Sequence, residues 1–120
     1  MKKILLVLLF FVSSMFSFEN INSENFNKMV ENKKVILDFY ASWCPPCNVI
    51  SKHLKIYDKS KNDNVYIYKV DIDNEKSLLK RFGVKSIPTL VYLKNGQPIF
   101  KELGIRNNKE IKSNVEEYLR

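Results

Sequence analysis

Apolar residues recur along this chain at spacings that alternate between helical and strand periods. After an unbroken apolar stretch over residues 4–12, Phe26, Met29 and Val30 fall at helical intervals behind Ser23, a residue type that caps helix N-termini. A short helix over 23–30 follows from that. Residues 35–41 are dense in β-branched and aromatic side chains and apolar on both faces apart from Asp38, the pattern of a central, doubly covered strand. Residues 45–58 predict a helix with Val49, Ile50, Leu54 and Tyr57 on one stripe. Residues 65–70 predict a second strand, and 75–82 a helix that Gly83 would close as a C-cap. Strand, helix, strand, helix in this order implies a parallel pair with a right-handed crossover.

The pattern then changes. Residues 89–93 and 99–103 both read as strands, and the Asn95-Gly96 pair between them is a strong hairpin signal, so the sheet is expected to be mixed. Pro98 looks like punctuation of that hairpin. Residues 108–119 close the sequence as an amphipathic helix with Ile111, Val115, Tyr118 and Leu119 facing inward. No internal repeat, low-complexity tract or linker interrupts this order, which predicts one α/β domain.

Length and charge narrow the setting. The first residues have the layout of a secretory signal peptide: Lys2 and Lys3 ahead of the apolar stretch, then small residues at Ser13, Ser14 and Ser17. We expect a leader over 1–17, cleaved after Ser14 or Ser17, and a domain over 18–120. The competing reading is an uncleaved signal anchor, with Met15, Phe16 and Phe18 extending a stretch otherwise short of the roughly 20 residues that span a bilayer. No cysteine lies near the cleavage region to carry a bacterial-type lipid anchor. Export places the domain outside the cytoplasm, in a periplasm-like oxidising compartment. The formal charge of +7 falls to +5 without Lys2 and Lys3, and the remaining lysines are scattered among Glu, Asp and Asn without a basic block. Nucleic-acid binding is therefore not expected.

Chemistry concentrates at Trp43-Cys44-Pro45-Pro46-Cys47, where the first strand gives way to a helix. Cys44 and Cys47 are the only cysteines. Three residues apart at a helix N-terminus, they share a face and lie within reach of a disulfide. Closing so short a loop removes little unfolded-state entropy, roughly 2 kcal/mol before strain, so redox exchange is the better use of the pair than stapling. A structural zinc site wants four ligands, and His53, on a lysine-flanked helical surface where solvent exposure is expected, is the only obvious supplement. No metal and no cofactor are expected.

These residues resemble the thioredoxin family along nearly the whole region after the leader. The resemblance is carried by residues 38–47 through the Trp-Cys-Pro-Pro-Cys motif, by Val70-Asp71-Ile72-Asp73, by Gly83-Val84-Lys85-Ser86-Ile87-Pro88-Thr89, by Lys94-Asn95-Gly96 and by Gly104 after the last strand. It implies a thioredoxin fold, a mixed central sheet flanked by helices. The 41-residue interval from Cys47 to Pro88 is that of a plain thioredoxin domain without insertion. Two positions depart from the family pattern. Lys52 stands where the following helix usually carries a kinking proline, and Pro45-Pro46 replaces the Gly-Pro of cytosolic thioredoxins.

By this resemblance Cys44 is the nucleophile, favoured as thiolate by the helix N-terminus, and Cys47 the resolving cysteine. Pro45 would hold Cys44 extended while Pro46 suits the first helical turn, so the two stiffen the loop and tune its potential. The strand alone leaves Asp38 open between a carboxylate tipped into water and a buried acid; the resemblance makes it the buried acid that takes the proton of Cys47. Lys69 matches the basic residue near that acid, against the alternative of an exposed strand lysine. Trp43 either packs on the sheet or shapes the substrate surface beside the nucleophile. Pro88 is expected as a cis proline, with the Ile87 backbone pairing with an extended substrate segment and Gly104 bordering the same surface.

The function implied is thiol-disulfide exchange: an exported, monomeric reductant of protein disulfides, recharged by a membrane thiol transporter. The motif is similar to that of extracytoplasmic reductases serving cytochrome c maturation. A net disulfide donor or isomerase is the alternative within the same chemistry. A non-turnover thiol-binding or chaperone module is the alternative outside it, and the resolving Cys47 argues against trapping.

Overall fold

The run of apolar residues that predicts a central strand forms β2, Lys34–Tyr40, with residues 35–39 all buried. A strand covered on both faces needs partners on both edges and helices above and below. A computed structural model describes residues 17–120 and supplies them. The leader expected over 1–17 lies, Ser17 apart, outside the described residues. With β1 at Glu19–Asn20, β3 at Val65–Asp71, β4 at Thr89–Lys94 and β5 at Gln97–Leu103, the sheet order is β1-β3-β2-β4-β5. β2 runs parallel to β3 and antiparallel to β4, which makes the sheet mixed, as the hairpin signal implied.

Side chains alternate across β2 and divide the core in two. Val35, Leu37 and Phe39 pack with Phe26 and Val30 of α1 (Phe26–Val30) and Leu78 of α3 (Lys76–Arg81). Ile36 packs on the other face with Ile50, Leu54 and Tyr57 of α2 (Pro45–Ser60) and with Ile111 and Val115 of α4 (Asn108–Tyr118). The Asn95-Gly96 turn has both residues at positive φ, +52° and +77°, the backbone of a two-residue hairpin that matches strand twist. A reciprocal capping box between Asn107 and Glu110 starts α4. Among the described residues no helix is long and apolar enough to cross a membrane.

Three expectations are corrected and one element is added. Helix α1 begins at Phe26 rather than Ser23, because the Asn22 side chain accepts from the N–H groups of Glu24 and Asn25 and holds residues 22–25 in a turn. Val49 leaves the buried stripe of α2 and is 41% exposed; Cys47 takes its place beside Ile50, Leu54 and Tyr57. Pro98 lies inside β5, opposite Leu93 at a register shift, where an edge strand tolerates a missing N–H. β1 is an addition: its two residues pair with Tyr68 and Lys69 of β3 and are too few to show a periodicity.

The corrected stripe has a measurable consequence. Leu54→Ala should lower the unfolding free energy by about 3 kcal/mol, and Val49→Ala should change it by no more than about 0.5 kcal/mol, in urea titrations. Equal losses at both positions would contradict the assigned face of α2.

Candidate active site

Where β2 ends, residues 41–43 turn the chain into α2, and Cys44 is the residue that starts the helix. Its φ and ψ of −107° and 102° are extended, the conformation a following proline favours. Pro45 and Pro46 occupy the first two helical positions and bring no N–H. The first backbone donor of α2 is therefore that of Cys47, and it points at the Cys44 Sγ, 3.3 Å away. Cys44 and Cys47 form a disulfide with Cα atoms 5.3 Å apart. Cys44 is 5% exposed and Cys47 2%, so Cys47 is the more buried of the two by a narrow margin. In the reduced protein, the same N–H and the positive end of the helix favour a thiolate on Cys44.

Around the sulfurs the walls are apolar. Ala41 packs with both cysteines, and Tyr40, Ile72 and Ile87 close against the group. The Ile87–Pro88 peptide is cis, as expected, and Pro88 is buried. Ile87 makes no backbone hydrogen bond among the described residues, whereas the next carbonyl, that of Pro88, accepts from Gly104 N–H at 2.9 Å. Gly104 has φ of +104°, a conformation closed to most side chains, so the position demands glycine.

Asp38 is the buried acid. It is fully enclosed, neither carboxylate oxygen has a hydrogen-bond partner among the described residues, and the β2 alternation puts it on the face of Ile36, which α2 covers. Burial pushes its pKa up to about 7, and the positive charge of Lys69 pulls it part of the way back. Lys69 stands directly opposite Asp38 in the β2–β3 register. It is half-buried rather than an exposed strand lysine, and its ammonium lies 4.1 Å from the centroid of the Tyr40 ring. Tyr40 thus touches both the dithiol group and the lysine, a link that strand periodicity does not signal.

Trp43 does not pack on the sheet. It is 64% exposed, with Nε1 donating to Asp73 Oδ2 at 2.9 Å, so a large apolar surface is held in place beside Cys44. Asp73 was visible as part of the 70–73 segment but without a role. His53 is half-buried, not solvent-exposed as expected, and its Nδ1 is buried without a partner among the described residues. No group of three or more His, Cys, Asp or Glu among the described residues could hold a metal ion.

Comparison with known proteins gives a consistent result. The thioredoxin family model matches residues 17–117. Thioredoxin H4 of Arabidopsis thaliana is 40% identical over 79 residues, covering 66% of this chain, which spans 65% of that relative's length. The thioredoxin of Bacillus subtilis is 31% identical over 96 residues, 80% of this chain and 92% of the relative. A crystal structure of thioredoxin from Malassezia sympodialis superposes with a TM-score of 0.75 at 31% identity, covering 87% of this chain and 92% of that one.

The enclosure of Asp38 makes stability depend on pH in a defined direction. The folded protein holds the Asp38 proton more tightly than the unfolded chain, so this group's contribution is fully present below the ordinary carboxylate range and is lost as pH rises towards and through about 7. Asp38→Asn removes that loss. The oxidised variant should exceed the parent in unfolding free energy by about 4 kcal/mol at pH 8, with the gain shrinking below pH 7 and vanishing near pH 4 in denaturant titrations. A gain independent of pH would mean that Asp38 is not the titrating group.

Proposed function

The chain belongs to the thioredoxin family of thiol-disulfide oxidoreductases, and from that premise we propose that it works outside the cytoplasm as a monomeric reductant of protein disulfides, recharged by a membrane thiol transporter. The observation that carries the reading is the Cys44–Cys47 disulfide at the N-terminus of α2, on the face of the sheet that encloses the unpaired Asp38. The leader pattern supports export. Ile87 ahead of the proline and the family-length domain support reduction, and the Trp-Cys-Pro-Pro-Cys motif supports service in cytochrome c maturation.

The exchange runs in two steps. An extended substrate segment pairs with the Ile87 backbone, whose hydrogen-bonding groups are uncommitted, while Trp43 and Gly104 border the docked segment. The Cys44 thiolate attacks one sulfur of the substrate disulfide, forming a mixed disulfide and expelling the other sulfur as a thiolate that takes a proton from water. Asp38, poised by its enclosure to exchange a proton near neutral pH, then accepts the Cys47 proton, with Lys69 across the register limiting how far that affinity rises. The Cys47 thiolate attacks Cys44 Sγ, the second substrate sulfur leaves as a thiolate that takes a proton from water, and the electron pair spent is replaced when a donor dithiol reduces Cys44–Cys47. A net disulfide donor would run the same steps in reverse.

Two measurements test this. Full-length chain carrying Cys47→Ser should accumulate mixed disulfides through Cys44 with exported proteins; adducts confined to cytoplasmic proteins would remove the proposed compartment, and none at all the exchange mechanism. The Cys44–Cys47 potential, titrated against glutathione, should lie near about −270 mV, the reducing end of the family's range, and a value near about −120 mV would make the chain a disulfide donor.

A further inference from the structure

Buried charge among the described residues falls on two carboxylates, and the fold treats them in opposite ways. Asp38 is left without a hydrogen-bond partner; Glu102, on β5 and 9% exposed, has three. Its Oε1 accepts from Tyr92 OH of β4 at 3.0 Å and from Asn114 Nδ2 of α4 at 2.8 Å. Its Oε2 accepts from Arg106 Nε at 3.0 Å. Asn114 Nδ2 also reaches Tyr92 OH at 3.3 Å, so the four side chains form one connected group.

Arg106 carries that anchorage to the surface. Its Nη1 donates to the Ile105 carbonyl at 2.9 Å and lies 3.5 Å from the place a Cβ on Gly104 would occupy. The guanidinium is therefore folded back over the Gly104–Ile105 turn, and Gly104 N–H is fixed to the Pro88 carbonyl. Ile105 points outward, 45% exposed. An ion pair this enclosed adds little net stability over an apolar replacement, because desolvation offsets the attraction. What it supplies here is a fixed backbone beside the Pro88 loop, whose Ile87 packs against the dithiol group.

We propose that Glu102 and Arg106 are positioning residues for substrate docking: the buried carboxylate holds the guanidinium, which latches the Gly104–Ile105 turn against the Pro88 loop before a protein substrate arrives. The inference rests on the reading of Gly104 as part of the docking surface. A rim ordered in advance spares the binding step the loss of loop and side-chain freedom, so unlatching it weakens capture of a protein and leaves the sulfur chemistry in place.

The test uses the full chain, dithiothreitol as electron source, insulin as the protein disulfide and 5,5′-dithiobis(2-nitrobenzoate) as a small one. Arg106→Ala removes the latch, Arg106→Lys keeps the charge but cannot fork to both acceptors, and Glu102→Gln offers one amide oxygen to three donors. Arg106→Ala and Glu102→Gln should raise KM for insulin about five-fold more than they change kcat or the rate with the small disulfide, and Arg106→Lys should restore part of the loss. An unchanged KM for insulin, or parallel losses on both substrates, overturns the proposal. Should Glu102→Gln fail to fold, the two Arg106 variants decide. Ile105→Ser separates the underlying reading: if it leaves the insulin KM at the parent value, the turn is not a docking rim and the proposal falls with it. If it raises that KM while the Arg106 variants do not, the rim stands and the latch alone fails.

Discussion

A strand buried on both faces has no water to offer a charge, and β2 holds Asp38 in its apolar run. Most of the molecule follows from keeping that strand covered. β3 and β4 take its edges, α1 and α3 cover one face, and α2 and α4 cover the other. The chain leaves β2 at Tyr40 and enters α2 at Pro45, so the helix N-terminus arrives at the carboxyl end of the strand that carries the acid. The dithiol therefore has a buried carboxyl group on the same face of the sheet by construction of the layers rather than by a separate device.

The same layering separates what was legible in the sequence from what was not. Residues 35–41, the Asn95-Gly96 hairpin and the closing helix have strong local signals, and each formed nearly where its spacing put it, because local preference and burial agree there. The motif and Pro88 were legible through family resemblance, including the cis peptide. Signals failed where a partner far along the chain decides the outcome. β1 exists because β3 has an open edge, and α1 starts late because an Asn22 side chain competes for its N–H groups. Val49 satisfies helical spacing but lies on the wrong side of the stripe that Cys47 completes. The Lys69–Tyr40 contact, the Trp43–Asp73 hydrogen bond and the Glu102 group join residues whose pairing only the sheet register or helix packing creates, and no spacing rule reaches that far.

The two carboxylates illustrate how one fold assigns opposite tasks to one functional group. Glu102 is saturated with donors, so its neighbours are ordered around it. Asp38 is starved of them, and starvation brings its proton within reach at neutral pH. A hydrogen bond donated to Asp38 would favour its ionised form and work against the effect of burial.

Two consecutive prolines after Cys44 leave a single amide, that of Cys47, facing the sulfur. Any other residue at position 45 or 46 would restore a backbone donor to that first turn. The reactivity of the pair is thus adjustable by a single codon change at a surface position, leaving the cysteines, the enclosed acid and the apolar layers untouched.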